Sequence, residues 1–414
     1  MANRIILLSI ALIFFISFIN AQDKKQNDTT KVYLEGGVKV GGPSSVQSQV
    51  NQDNEQRKNK SLIKGDDWVK NKLGISLGAD YNITLNQISK SPGSTSAAGS
   101  VFRFYGHWNP GKNKSNFTGS LVFKVETRYS LGTDISPQML GPTAGYAGLT
   151  ATTFSDAGWI LTNFYWTQSF FNNRFAFNLG LVDFTDYVNV YGLVNVWTDF
   201  NNLSFATGPS MILPNQGLGA AVRFMFTPKY YILAGICDVN GDPQNPGQVF
   251  SSFFGEAQFF THVEVGHISS WDERYTNNIH FTLWHADESN LTGGEEGWGI
   301  NFSFSQGIKQ WLVFARAGYS EGTAQFLNRS VSIGTGYQFQ SRNDYFGIGL
   351  NWGQPPKEAT NNLTMNQYTL ETYYRVQLLP QVSIWPSFQY FINPAYQPEV
   401  ANLWLLGLRL RAAL

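Results

Sequence analysis

The chain lacks the cysteines and the surface charge that large secreted domains usually have. Cys237 is the single cysteine among 414 residues, so an internal disulfide framework is excluded. Charged residues make up only 14% of the sequence, which is low for the surface of a soluble domain of this size. Lys plus Arg and Asp plus Glu both number 29, and this balance gives no indication of a nucleic-acid partner.

Motifs for catalysis and for metal binding are missing from the sequence as well. It contains no GxSxG element and no phosphate-binding glycine loop. The five histidines are scattered, and although His262 and Glu264 share one face of a strand, His267 falls on the other face. We therefore expect no enzymatic activity, no cofactor and no metal site.

One long hydrophobic run occurs, and it lies at the N-terminus. Residues 5–19 are apolar, Arg4 precedes them, and the small residues Asn20 and Ala21 follow. The run is shorter than the roughly 20 apolar residues of a spanning helix, so it predicts a cleaved signal peptide over residues 1–21. Residues 22–64 are polar and rich in Gln, Asn, Lys and Ser, which predicts a flexible periplasmic tail.

Aromatic residues, by contrast, are abundant at 15%, and from residue 66 onward apolar and polar residues alternate. In the clearest segment, residues 121–129, Lys124, Glu126 and Arg128 occupy one face, whereas apolar or large residues occupy the other. A closed barrel in a membrane accounts for both faces, because the apolar face contacts lipid outside and the polar face contacts water inside. The pattern predicts an all-β transmembrane antiparallel β-barrel with a water-filled lumen over residues 65–414. A soluble secreted β-sandwich is the alternative fold.

Sixteen segments have this pattern, the even number expected of a porin-sized barrel. They are 74–84, 99–108, 117–131, 158–171, 174–183, 217–227, 230–238, 253–266, 276–285, 296–305, 310–319, 329–338, 344–352, 366–378, 382–391 and 402–414. Short turns such as Asn172-Asn173 alternate with long connections such as 184–216 and 239–252. This asymmetry is typical of periplasmic turns and extracellular loops.

The alternation also predicts which side chains line the lumen and meet a solute. Charged and amide groups exchange hydrogen bonds with sugar hydroxyls, and aromatic rings pack on the C–H face of a pyranose. The inward set is Arg103, Lys124, Glu126, Arg128, Arg223, Glu256, Gln258, Glu264, Trp284, Arg316, Glu371, Arg375, Gln389 and Arg409. Two alternatives stay open. These charges could pair across strands and only shape the barrel, and the loop 184–216 could fold into the lumen or lie exposed outside.

Residues in unbroken order along 65–414 resemble the carbohydrate-selective porin (OprB) family. The matching segments are 65–68, 73–75, 164–183, 217–220, 238–241, 284–287, 297–299, 314–318, 371–375, 393–394 and 407–409, with Glu264, Pro386 and Gln389. The resemblance implies a sixteen-stranded barrel through which sugars diffuse across the outer membrane of a Gram-negative bacterium. The chain departs from outer-membrane barrels in ending with Leu414, where an aromatic residue is usual.

The expected function is therefore passive diffusion of mono- or oligosaccharides down their gradient. The expected partners are carbohydrate solutes, outer-membrane lipid and lipopolysaccharide, with no nucleic acid, and the barrel is expected to be a monomer or a homotrimer. One alternative is a general or weakly anion-selective diffusion porin. Another is a barrel enzyme or surface adhesin in which the loops act.

Overall fold

A computed structural model describes residues 40–57, 72–111, 118–340 and 344–413. Sixteen antiparallel strands form a closed barrel in which each strand pairs with its neighbours in sequence, and β1 pairs with β16. The strands are β1 (Ile75–Ile88), β2 (Ser96–Trp108), β3 (Ser120–Ser130), β4 (Gly158–Phe170), β5 (Phe175–Val182), β6 (Gly217–Met225), β7 (Tyr230–Asp238), β8 (Phe259–Ile268), β9 (Asn277–Ala286), β10 (Gly297–Ile308), β11 (Trp311–Glu321), β12 (Arg329–Gln338), β13 (Tyr345–Gln354), β14 (Gln367–Leu379), β15 (Val382–Ile392) and β16 (Asn402–Ala413).

The predicted fold is confirmed, and each of the sixteen predicted strands corresponds to an observed one. The largest difference is at β8, which begins at Phe259 rather than at residue 253. The prediction extended the strand through Phe253 and Phe254, but these two aromatic residues lie in a helical turn, where Phe253 packs on Phe254 and on Phe259 at the start of the strand. The expectation that Glu256 and Gln258 lie on the inner wall is therefore wrong, since both precede the strand.

Burial alternates along the strands and identifies the two faces. In β16 the outward Leu406 is 51% exposed, whereas the inward Leu405 on the neighbouring position is fully buried. Outward positions are mostly apolar, as a lipid-facing wall requires, and inward positions are mostly polar or glycine. The faces agree with those predicted for residues 121–129.

The helices are short and lie outside the strand ladder. They are α1 (Val46–Arg57), α2 (Leu140–Thr143), α3 (Leu203–Ala206) and α4 (Val249–Ser251), with a π-turn at Ser252–Glu256 and 3₁₀ turns at Pro137–Met139, Phe184–Asp186, Pro246–Gln248 and Glu358–Thr360. In the part of the chain that the structure describes, no helix has the length and apolarity needed to cross a membrane.

Connection lengths alternate as predicted. Two-residue turns join β10 to β11 and β14 to β15. These turns lie on the same rim of the barrel as the first residue of β1 and the last residue of β16. We call this the turn rim. The opposite rim, the loop rim, carries the long connections 131–157, 184–216 and 239–258. The predicted signal peptide, residues 1–21, lies outside the described residues, as do residues 22–39 and 58–64 of the predicted tail.

Candidate functional site: the barrel lumen

Charges on the described strands point into the lumen, apart from three at strand ends, Asp238, Glu321 and Arg329. Eight inward side chains are basic and four are acidic. The basic ones are Arg103, Lys124, Arg128, Arg223, Arg316, Arg375, Arg409 and Arg411, and the acidic ones are Asp80, Glu126, Glu264 and Glu371. A charged side chain in contact with hydrocarbon is costly. This cost explains why the described lipid-facing wall has no charged side chains between the strand ends.

One charge network closes the barrel where its first and last strands meet. The Asp80 carboxylate on β1 accepts hydrogen bonds from Arg103 Nε on β2 at 2.7 Å and from Arg411 Nε on β16 at 2.8 Å. The Arg103 guanidinium also lies 3.8 Å from the centre of the Trp197 ring. The sequence analysis left open whether the wall charges meet a solute or pair across strands. Arg103 pairs across strands.

A second network lies along β3. Arg128 Nε donates to Glu126 Oε2 at 2.8 Å, and Lys124 Nζ lies 3.7 Å from both Glu126 Oε1 and Asp186 Oδ2. Lys124 and Glu126 are buried, whereas 13% of the Arg128 side chain stays exposed on the lumen side. Of these three predicted residues, Arg128 is the most exposed.

The loop 184–216, which we call the inner loop, folds into the lumen rather than over the surface. Glu371 accepts hydrogen bonds from the backbone N–H groups of Asn201 and Asn202, both at 2.9 Å. Gln389 Oε1 accepts from Asn202 Nδ2 at 2.9 Å, and Glu264 accepts from the backbone N–H of Asn189 at 2.8 Å. Three predicted wall residues thus satisfy donors of the inner loop.

Arginine side chains hold the carbonyl groups of the same loop. Arg316 donates to Thr207 O at 2.8 Å, Arg375 donates to Thr198 O at 2.7 Å, and Arg409 donates to Asp199 O at 2.6 Å. The inner loop contains Asp186 and Asp199 but no Lys or Arg, so its charge complements a wall with an excess of cations.

Six of the predicted site residues, namely Glu264, Arg316, Glu371, Arg375, Gln389 and Arg409, therefore hold the inner loop in place. Sequence reasoning placed them on the correct face but missed this shared partner. Two other predicted residues, Arg223 and Trp284, pack on aromatic rings. Arg223 stacks on Trp271 with its guanidinium carbon 4.2 Å from the ring centre, near the turn rim. Trp284 is 3% exposed, packs on Phe260, and donates to Asn301 Oδ1 at 3.0 Å, so its ring belongs to the wall packing.

Residues 40–57 also occupy the lumen, and for them the expectation of a flexible tail is wrong. Val46 and Val50 are buried, and α1 packs against the inner faces of β1, β2 and β3. Asn178 Nδ2 donates to Val40 O at 3.0 Å, and Tyr275 OH donates to the carbonyl of the next residue, Gly41. The sequence signal was small, since the two valines are four residues apart and share a helix face.

Comparisons with known proteins agree with this architecture. Residues 111–295 and 274–414 match the model of the family described as carbohydrate-selective porin, OprB family. Porin AaxA of Chlamydia abortus is 23% identical over 255 residues, which cover 59% of this chain and 56% of that protein. Porin AaxA of Chlamydia felis is 25% identical over 203 residues, which cover 46% of this chain and 44% of that protein. The chain thus spans about half the length of these curated relatives.

A structure of Pseudomonas putida OprB at high pH superimposes with a TM-score of 0.67 at 15% identity, covering 84% of this chain and 97% of that one. At this identity the likeness concerns the fold alone. The family model, however, matches well over half of the chain. The chain belongs to the carbohydrate-selective porin, OprB family.

Proposed function

We propose that this member of the OprB family lets sugars diffuse passively across the outer membrane through its polar lumen. The observation that carries the proposal is the neutralisation of wall charge. The network of Asp80 with two arginines and the network of Glu126 with Lys124 and Arg128 place both signs within a few ångströms. Pairing leaves the wall without a strong net field, which suits an uncharged polyol, and the partly exposed Arg128 offers it a hydrogen-bond donor.

The inner loop also determines which part of the wall a solute can reach. Trp385 and Tyr345 are buried beneath it, beside the guanidinium groups of Arg409 and Arg375 that hold the loop. The inner loop narrows the lumen, so a solute passes close to the wall.

A second candidate is a weakly anion-selective porin, and the charge balance of the wall favours it. Eight inward basic side chains outnumber four acidic ones on the described strands, and Asp186 and Asp199 of the inner loop reduce the excess to two. An excess of positive charge at a constriction raises the local concentration of anions.

Single-channel conductance in planar bilayers separates the two candidates. We expect glucose and maltose to block the current in a concentration-dependent, saturable way. Arg128→Gln removes a partly exposed charged donor of the wall and should weaken the block about fivefold, the effect of one lost hydrogen bond. Arg174→Gln is the matched control, because Arg174 is exposed on a turn at the turn rim.

Steady conductance at every sugar concentration would refute the sugar preference. A reversal potential in a KCl gradient that favours chloride, without any sugar block, would instead support the anion-selective porin. Equal sugar block in the Arg128→Gln variant and in the wild-type protein would exclude a role for this side chain.

A further inference from the structure

The outer wall of the barrel carries an apolar groove close to the loop rim. Two rows of cross-strand neighbours line it, Val331, Trp352 and Tyr368 in the upper row and Ile333, Leu350 and Leu370 in the lower row. We call it the outer-wall groove. Because these positions point away from the lumen, the groove opens into the lipid.

A polar row lies directly above the apolar rows. Arg329 pairs in register with Gln354 and stands two residues before Val331 on β12, so it shares the outward face about 7 Å nearer the loop rim. Gln354 Nε2 donates to Asn366 Oδ1 at 2.8 Å, and Trp352 Nε1 donates to the same oxygen at 3.0 Å. This change from apolar to polar lining marks the upper edge of the hydrocarbon layer.

Arg329 is unusual among the basic residues of the described strands, because it is the one that points outward. Its side chain is exposed, reaches Gln354 Oε1 at 3.4 Å, and lies over the Tyr319 ring at 5.7 Å. No carboxylate pairs with it within the described residues. A guanidinium at the polar boundary of an apolar groove is suited to an anionic head group, and phosphate is the group that its fork of donors fits best.

We propose that the outer-wall groove binds lipid A, the phosphorylated glycolipid that anchors lipopolysaccharide in the outer leaflet. One acyl chain lies along the two apolar rows, and Arg329 binds a phosphate of the head group. The loop rim faces the cell exterior in barrels of this kind, which places the groove at the depth of the outer leaflet. The exposed Arg329 guanidinium above the groove favours a lipid with an anionic head group over an uncharged apolar partner.

Native mass spectrometry of the full-length barrel in mild detergent tests the proposal, with purified lipid A and phosphatidylethanolamine as separate probes. Arg329→Gln should weaken lipid A binding about tenfold, the effect of one lost charge-assisted hydrogen bond. Val331→Phe should abolish binding by filling the groove. The matched controls are Arg174→Gln at the turn rim and Val263→Phe, an outward position on β8 that is 43% exposed. Both controls should bind like the wild-type protein.

Three results would overturn the proposal. Equal lipid A binding by all four variants would show that the groove is not the site. Binding of phosphatidylethanolamine as tight as that of lipid A would exclude recognition of the glycolipid. Efficient disulfide cross-linking between two copies that carry Leu350→Cys would identify the groove as a contact between barrels. None of these readouts depends on sugar flux, so the outcome is independent of the proposed function.

Discussion

Replacing Arg316 by Met should release the inner loop while leaving the strand ladder intact. Arg316 is 5% exposed and donates to Thr207 O at 2.8 Å and to Asn189 O at 3.1 Å, in addition to the Asn189 side-chain oxygen. Its guanidinium also lies 4.7 Å from the Tyr191 ring centre. Met preserves the apolar length of the side chain but provides no donor.

The magnitude follows from these contacts. The substitution leaves buried carbonyl groups without a donor, at about 1–3 kcal/mol each, and it also removes the cost of burying the cation. We expect a net loss of about 2–3 kcal/mol from the packing of the inner loop. The population with a released loop should then rise roughly 30- to 150-fold, because each 1.4 kcal/mol corresponds to a factor of ten.

Limited proteolysis with chymotrypsin measures this population. The inner loop has aromatic residues such as Tyr191, Trp197 and Phe200 that are almost fully buried when the loop is packed. The cleavage rate should follow the open fraction while closing is fast relative to cleavage. Arg174→Met serves as the control. A cleavage rate within twofold of the wild-type rate would refute the view that Arg316 holds the loop.

Three further predictions concern other contacts in the lumen. Val46→Ser with Val50→Ser should free residues 40–57 and raise single-channel conductance, since each buried valine contributes about 1.5–3 kcal/mol. Asp80→Asn should lower the temperature at which the barrel unfolds in detergent gels, because two buried arginines lose their carboxylate at a cost of about 3–5 kcal/mol. Burial raises the pKa of Asp186 to about 7, so its contribution to stability should be lost as the pH rises through 7.

The pH prediction has a defined sign. The pKa of Asp186 in the folded protein lies above its ordinary value of 3.8, so its contribution is complete below about pH 4 and disappears as the carboxyl group ionises. Lys124 opposes this shift, whereas burial and Asp183 cause it. The unfolding temperature should fall between about pH 4 and pH 7, and Asp186→Asn should flatten that dependence. A wild-type profile as flat as that of the variant would contradict the assignment.

The other two predictions also have clear contrary outcomes. The outward valine Val263, replaced by Ser, is the control for the double valine variant, and a conductance unchanged in the double variant would mean that residues 40–57 do not restrict the pore. For Asp80→Asn, an unchanged unfolding temperature would show that hydrogen bonding alone, without the carboxylate charge, holds the junction of β1 with β2 and β16.

The faces of the strands were predictable because lipid and water impose opposite requirements on alternate residues. Lys124, Glu126 and Arg128 point inward as the period of two indicates. The same rule placed Arg316, Glu371 and Arg409 on the inner wall. Their partners were not predictable from local pattern, because Glu371 binds backbone groups about 170 residues earlier in the chain.

One signal in the sequence pointed to the inner loop. Residues 184–216 contain two aspartates and no Lys or Arg, whereas most inward charges of the described strands, counted around the whole barrel, are basic. This complementarity could have favoured the inward position of the loop. Residues 40–57 gave a weaker signal, because polar side chains dominate the segment and only a few valines are buried.

The sequence by itself therefore determined the barrel, its sixteen strands and the polarity of each face, since these depend on a local period that repeats along the chain. The tertiary structure decided which wall residues meet a solute and which bind protein. Arg375 and Arg128 look alike in sequence, yet Arg375 holds Thr198 O of the inner loop while Arg128 pairs with Glu126 on its own strand. The difference arises because hydrogen-bonding groups of a loop find their partners through space, at sequence distances that no local pattern encodes.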